Sequence, residues 1–168
     1  MRSIELTSVN LPELPKIGRW FRARFELMGA LSAGAAIFSW REEIVAKFAS
    51  KAWDLGAYYS AIFDWSSIQA AFLFGVYAFF LSRSEPFIQA IAGSTGFKLL
   101  GRYVVRTLYL SMALTVVALP MLVSPLDAGT SWKSAGFVMM WFQSTLLAYT
   151  FLCFVKVVRV FGKIERRS

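Results

Sequence analysis

The sequence contains no histidine and a single cysteine, Cys153, among its 168 residues. Histidine is the commonest general base and metal ligand near neutral pH, and a lone cysteine forms no intramolecular disulfide. The adjacent acids Glu42 and Glu43 do not share a helix face, and no glycine-rich loop has the spacing that cradles phosphate. We therefore expect a protein that is not an enzyme, with no catalytic residue, no metal site and no cofactor.

Charged residues are scarce as well, at 17% of the chain, whereas 57% of the residues are hydrophobic and 17% are aromatic. Soluble domains are on average about a quarter charged, and aromatic rings favour the bilayer interface. A helix satisfies its own backbone hydrogen bonds and can therefore cross hydrocarbon. The composition predicts an all-α integral membrane protein.

Four apolar stretches have the length of membrane spans. Three of them, at about 65–82, 103–125 and 134–156, are clear. The first, at about 20–40, is the doubtful one, because only fourteen apolar residues separate Glu26 from Arg41. We predict a four-helix transmembrane bundle, in which Glu26 can pair with Arg22 one turn before it. A re-entrant or surface-lying segment is the alternative for 20–40.

Lysine and arginine divide unequally between the two sides of such a bundle. If both termini are cytoplasmic, fourteen of the eighteen Lys and Arg residues lie inside, which fits the positive-inside rule. With three spans this asymmetry would largely vanish. We therefore predict an N-in/C-in protein of a bacterial inner membrane, with a cytoplasmic segment at 1–19, a membrane domain at 20–158 and a basic tail at 159–168.

The outer connection, residues 42–64, has the pattern of an amphipathic helix. One face would carry Ile44, Phe48, Ala52 and Leu55, and another would carry Glu43, Lys47 and Lys51. Such a helix would lie on the outer leaflet or cap the bundle. An extracytoplasmic sensing surface is the alternative.

Small residues in the first span recur four positions apart, as Gly29 with Ala33 and Ala30 with Gly34. This spacing lets helix backbones approach closely. The face could pack against its own bundle or against a neighbouring copy of the chain.

Polar residues occur near the middle of two spans, at Thr115, Gln143 and Ser144. Interhelical hydrogen bonding is one explanation of such residues. The other is a polar ring that lines a pore in an oligomer.

Basic residues on the cytoplasmic side follow helical spacing in three stripes. In the middle stripe they lie on a helix that can run from Gly96 into the third span, after an apolar interfacial segment that ends at Gly93. Each stripe could bind anionic headgroups, an acidic cytosolic protein or a protein–nucleic-acid complex. The residues of the three stripes are Lys16, Arg19, Arg22, Lys98, Arg102, Arg106, Lys156, Arg159 and Lys163.

The span number, the cytoplasmic termini and the basic inner face resemble the small four-span membrane subunits of bacterial phage-defence cassettes of the Kiwa type. The resemblance implies a sensor or anchor role. We predict a non-enzymatic membrane anchor or sensor that self-associates and docks a cytosolic protein on its basic face. An oligomeric pore is the alternative, and we expect no direct nucleic-acid binding despite the net charge of +8.

Overall fold

The computed structural model describes residues 24–81 and 95–165, with side chains described for 24–78, 81 and 100–159. Within those residues the chain is all-helical, as the composition predicted, and contains five helices. They are α1 (Phe25–Ser39), α2 (Arg41–Ala49), α3 (Leu55–Leu81), α4 (Thr95–Val123) and α5 (Ala135–Glu165). The predicted segment 1–19 and the apolar segment before Gly93 lie outside the described residues.

The long helices pack in the order α3, α4, α5, α1, so that α4 and α5 occupy the middle. Neighbouring helices in this row run in opposite directions. The start of α1 lies beside the end of α5, where Gly29 meets Leu152, and the later Gly34 meets the earlier Thr145. The start of α3, at Tyr59, lies beside the later Leu114 of α4. Helices α3 and α5 are separated by α4 in the row and run in the same direction, so that Tyr58 contacts Ser144.

The core follows the helical repeat of each element. On α4 the buried residues recur every three or four positions and form one face, namely Leu100, Val104, Thr107, Leu108, Ser111, Leu114 and Ala118. Leu73 of α3 and Val157 of α5 pack against this face at one end of the bundle. Tyr59 and Ile62 of α3 pack against it towards the other end.

Two helices have the length and composition of membrane spans, within the part of the chain that the structure describes. They run from Leu100 to Val123 and from Ala135 to Arg159. A third, α1, is apolar but shorter, at 15 residues. The complete helices α4 and α5 contain 29 and 31 residues, so each measures about 45 Å. That length exceeds the hydrocarbon thickness of about 30 Å.

Helix α4 runs without a break from the predicted basic stretch that starts at Gly96, here called the stalk, through the predicted third span as far as Val123. Pro120 lies inside the last turn of this helix, which ends at Val123. Proline lacks the N–H group that would bond the preceding turn. The helix nevertheless continues for three more residues, and the Ser124 N–H donates to the Pro120 carbonyl at 2.9 Å.

The predicted outer connection differs from the structure in its second half. Its amphipathic helix is shorter than predicted and ends at Ala49, because Lys51 adopts a left-handed conformation with φ of 57°. The Ala52 N–H then bonds back to the Lys47 carbonyl at 3.0 Å, as in a helix C-cap. Leu55 consequently begins α3, ten residues before the predicted span.

Helix α2 covers the end of the bundle that carries the α4–α5 loop. Phe48 and Ile44 pack against Phe137 and Ala128. Gly129 of the loop lies so close to α2 that a Cβ there would sit 2.8 Å from the Ala49 nitrogen. The α2 segment therefore caps the bundle, which is the first of the two roles expected for it.

Candidate functional site: the basic end and the polar interior

A buried carboxylate joins three helices at the end of the bundle where α5 finishes. Glu26 of α1 is only 7% exposed and forms an ion pair with Lys156 of α5. The Lys156 Nζ also lies 4.3 Å from the ring centroid of Tyr103 on α4, within cation–π range. Lys156 therefore bridges an anion and a ring, and its side chain is 24% exposed.

The sequence suggested Arg22 as the partner of Glu26, and Arg22 lies outside the described residues. Lys156 was expected instead on an outward-facing basic stripe. In the folded chain it is largely used for packing α1 against α4 and α5.

A second cation at this end is held by a tyrosine. The Arg106 guanidinium of α4 donates to the Tyr149 hydroxyl of α5, and its Cζ lies 5.6 Å from the centroid of the same ring. Arg106 is nevertheless exposed. It can therefore meet an anion from outside while Tyr149 fixes its position.

Of the remaining basic residues of the three stripes, two have side chains that the structure describes. Arg102 of α4 and Arg159 of α5 are exposed and form no ion pair within the described part of the chain. Lys98 and Lys163 belong to α4 and α5, but their side chains lie outside the described residues, as do Lys16, Arg19 and Arg22 altogether. We use the name basic end for the surface formed by Arg102, Arg106 and Arg159.

The small-residue face of α1 packs inside the same chain, which is one of the two alternatives that the sequence left open. Gly34 and Ala30 are buried against α5, with Ala33 half-buried. A Cβ on Gly29 would lie 2.5 Å from the Leu152 side chain, and one on Gly34 would lie 2.7 Å from the Thr145 hydroxyl.

Close approach of the two helices at this face permits a further hydrogen bond. The Trp141 indole of α5 donates to the Gly34 carbonyl at 2.8 Å. Indole nitrogens are usually hydrogen-bonded when buried, and this bond ties α5 to the backbone of α1.

The three midplane polar residues all make contacts within the chain. The Thr115 hydroxyl lies 2.9 Å from the Ser66 hydroxyl of α3, and the Gln143 amide donates to the Val117 carbonyl of α4 at 3.2 Å. Ser144 donates to the Met140 carbonyl at 2.7 Å and also contacts Tyr58. This geometry is that of interhelical hydrogen bonding.

The sequence suggested that Ser66 and Gln69 form a capping box at the start of the second span, but α3 begins at Leu55 and both residues lie inside it. Gln69 of α3 is buried and donates to the Thr150 carbonyl of α5 at 2.8 Å. The NH₂ groups of Gln69 and Gln143 both donate to carbonyls, whereas their side-chain oxygens accept no hydrogen bond in the described structure. The sequence signal for this interior position was the Ser66 and Gln69 pair, three residues apart, in an otherwise apolar stretch.

Among the described residues, no group of three or more His, Cys, Asp or Glu side chains is arranged to hold a metal ion. Over its described residues the chain is thus all-helical, with two candidate membrane spans, a basic end and a polar interior. No protein-family model matches it, no curated protein matches its sequence, and no solved structure matches its fold. The interpretation of its function therefore depends on the geometry of these two regions.

Proposed function

We propose that the chain is a four-span protein of a bacterial inner membrane, with both termini in the cytoplasm. The antiparallel row of α1, α3, α4 and α5 supports this topology, because it brings Glu26 and Lys156 to the same end. The length of α4 and α5 supports the cytoplasmic extensions. A positively charged end that faces the cytoplasm agrees with the positive-inside rule.

The function that we propose is that of a non-enzymatic anchor or sensor, which holds a cytosolic protein with an acidic surface on its basic end. The observation that carries this proposal is that the cations at this end differ in whether they have a partner within the chain. Lys156 forms an ion pair with the buried Glu26. Arg102 and Arg159, on the adjacent helices α4 and α5, are exposed and have no ion-pair partner in the described structure.

Orientation in the membrane requires only a number of positive charges. The Arg106 guanidinium is also held in a defined position by Tyr149, and membrane orientation does not require a charge to be positioned in this way. Arginine also suits carboxylate recognition, because its planar guanidinium donates two parallel hydrogen bonds. These properties favour a protein partner over headgroups alone, although anionic lipids would compete for the same surface.

We propose self-association as part of this function. The small-residue face of α1 is occupied by α5, so a second copy would have to use another surface. The exposed apolar side of α3 offers one, with Ile68 and Phe72 one turn apart and each more than half exposed.

The alternative function, an oligomeric pore, has weaker support. It requires Thr115, Gln143 and Ser144 to face a shared axis between copies. Each of them instead contacts a neighbouring group in its own protomer.

Charge reversal tests the docking proposal. The variant carries Arg102→Glu and Arg159→Glu, and the control carries Lys47→Glu and Lys133→Glu at the opposite end, with the same change of net charge. Purification in mild detergent with quantitative mass spectrometry should show a cytosolic protein whose recovery falls roughly tenfold in the variant alone. The docking proposal is contradicted if no protein depends on the basic end, or if both variants lose the same proteins.

A further inference from the structure

A recess with two tryptophans and a carboxylate lies at the end of the bundle opposite the basic end. It has a volume of about 320 Å³ and is lined by Trp40, Glu43, Ile44 and Trp53. Trp40 precedes α2, Glu43 and Ile44 belong to it, and Trp53 follows it. The turn at Lys51 therefore places Trp53 beside the helix that it has just left.

Local contacts hold the recess open. The Trp53 ring packs edge-on against Phe48 with centroids 5.7 Å apart. The backbone N–H of Trp53 donates to the Lys47 carbonyl at 3.3 Å. The backbone N–H of Trp40 donates to the Ala36 carbonyl at 3.3 Å. Both rings nonetheless stay accessible, with Trp40 67% and Trp53 50% exposed.

The chemistry of this lining suits an organic cation. Tryptophan is the best side chain for cation–π attraction, and Ile44 adds an apolar wall for alkyl groups. The Glu43 carboxylate forms no ion pair with another described residue, and Arg41 pairs with the preceding Glu42 at 3.8 Å. An ammonium group between the rings would give Glu43 a counter-ion.

The surroundings also favour positive charge. Trp53 forms part of the wall of an adjoining recess, where Lys51 is accompanied by two carboxylates, Asp54 and Asp127. Among the residues that line the two recesses, Glu43, Asp54 and Asp127 are acidic and Lys51 is basic. A free anion would be disfavoured here, whereas a cationic group would be attracted.

The source of the ammonium group follows from the place of the recess. Exposed tryptophans at the end of a spanning bundle lie at headgroup depth. Lys47 follows Glu43 by one turn of α2 and forms no ion pair with it, so a positive side chain on the same helix is free to meet a second group. A zwitterionic headgroup has the complementary arrangement, with its ammonium for Glu43 and its phosphate for Lys47.

We propose that this recess binds the ammonium headgroup of a zwitterionic phospholipid such as phosphatidylethanolamine. The site requires that the bundle is inserted in a membrane, which is part of the proposed function. It is independent of the cytosolic partner, because the basic end lies at the other end of the helices.

Native mass spectrometry of the full chain tests the site. The protein is reconstituted in nanodiscs with equal amounts of phosphatidylethanolamine and phosphatidylglycerol of the same acyl chains, and the lipids that stay bound are counted. Phosphatidylethanolamine should be enriched about fivefold in the unaltered protein. Glu43→Gln should remove that preference, whereas the matched control Glu42→Gln should keep it.

Two further measurements test the role of the tryptophan rings and whether the bound ammonium group belongs to a lipid or to a soluble molecule. Trp53→Leu should also lower the enrichment, and soluble phosphoethanolamine should not displace the bound lipid. The proposal is overturned if the two lipids are retained equally, if Glu43→Gln and Glu42→Gln behave alike, or if phosphoethanolamine competes at millimolar concentration. None of these results depends on recovery of a cytosolic protein with the basic end.

Discussion

At the scale of single residues, the ion pair between Glu26 and Lys156 has the greatest structural consequence. Both side chains are mostly removed from solvent, and removing one partner of such a pair leaves an uncompensated charge. The cost is discounted here, because part of Lys156 still reaches solvent and can move outward. The pair thus fixes the start of α1 against the end of α5.

Replacement of one member of this pair should destabilise the fold. We expect Glu26→Gln to lower the free energy of unfolding by about 1–3 kcal/mol, measured by unfolding in detergent. A second change, Lys156→Met, should restore part of that loss, because the orphaned charge is removed.

A surface pair provides the control for this prediction. Glu42→Gln breaks the contact with Arg41, in which the Glu42 side chain is 81% exposed, and should change stability by less than about 0.5 kcal/mol. Equal effects of Glu26→Gln and Glu42→Gln would show that the first pair contributes no more than an exposed one.

At the scale of helices, the contact of α1 with α5 depends on two glycines that meet different neighbours. A Cβ at Gly29 would meet the flexible end of Leu152, which can move aside. A Cβ at Gly34 would meet Thr145, whose hydroxyl already bonds the Trp141 carbonyl at 2.8 Å. The Gly34 position is therefore the less tolerant of the two.

Alanine substitutions separate this packing from helix propensity. Gly34→Ala should destabilise the protein by about 1–3 kcal/mol, and Gly29→Ala should do so by less. The control is Gly75→Ala on α3, where a Cβ meets nothing within 4 Å, so stability should stay equal or rise by up to about 1 kcal/mol. A loss at Gly75 as large as that at Gly34 would contradict the packing explanation.

The helices themselves were largely predictable, whereas their boundaries and partners were less so. Apolar length alone located α4 and α5, and basic spacing indicated that α4 runs on from the stalk. The early start of α3 was not apparent, because Tyr58, Tyr59 and the exposed Asp64 resemble a polar connection. Tyr59 is buried because it packs against Leu114 and Ala118 of α4. A contact with a distant helix of this kind cannot be seen in the local sequence.

Pairing between distant residues could not be derived from the sequence. Glu26 had a basic neighbour one turn away at Arg22, and nothing in the local pattern indicates Lys156. Similarly, the midplane polar residues were identified, but their partners depend on helix rotation. The spacing of Gly29 and Gly34 predicted a close contact and left open whether α5 or a second copy would provide it.

At the scale of the whole molecule, the two ends of the bundle have different chemistry. One end carries Arg102, Arg106 and Arg159, and the other carries the short helix α2 with Trp40 and Glu43. A polar but uncharged interior at Gln69 and Gln143 lies between them. This polarity is what an inserted protein with a cytoplasmic docking face and an outer headgroup site would need.

Cysteine labelling in cells tests the central claim, that the bundle spans the membrane with its basic end in the cytoplasm. In a Cys153→Ala background, single cysteines replace Lys51 or Lys133 at one end and Arg102 or Arg159 at the other. A membrane-impermeant maleimide should label the first two in intact spheroplasts and the last two only after permeabilisation. Labelling of Arg102→Cys and Arg159→Cys without permeabilisation would contradict the account.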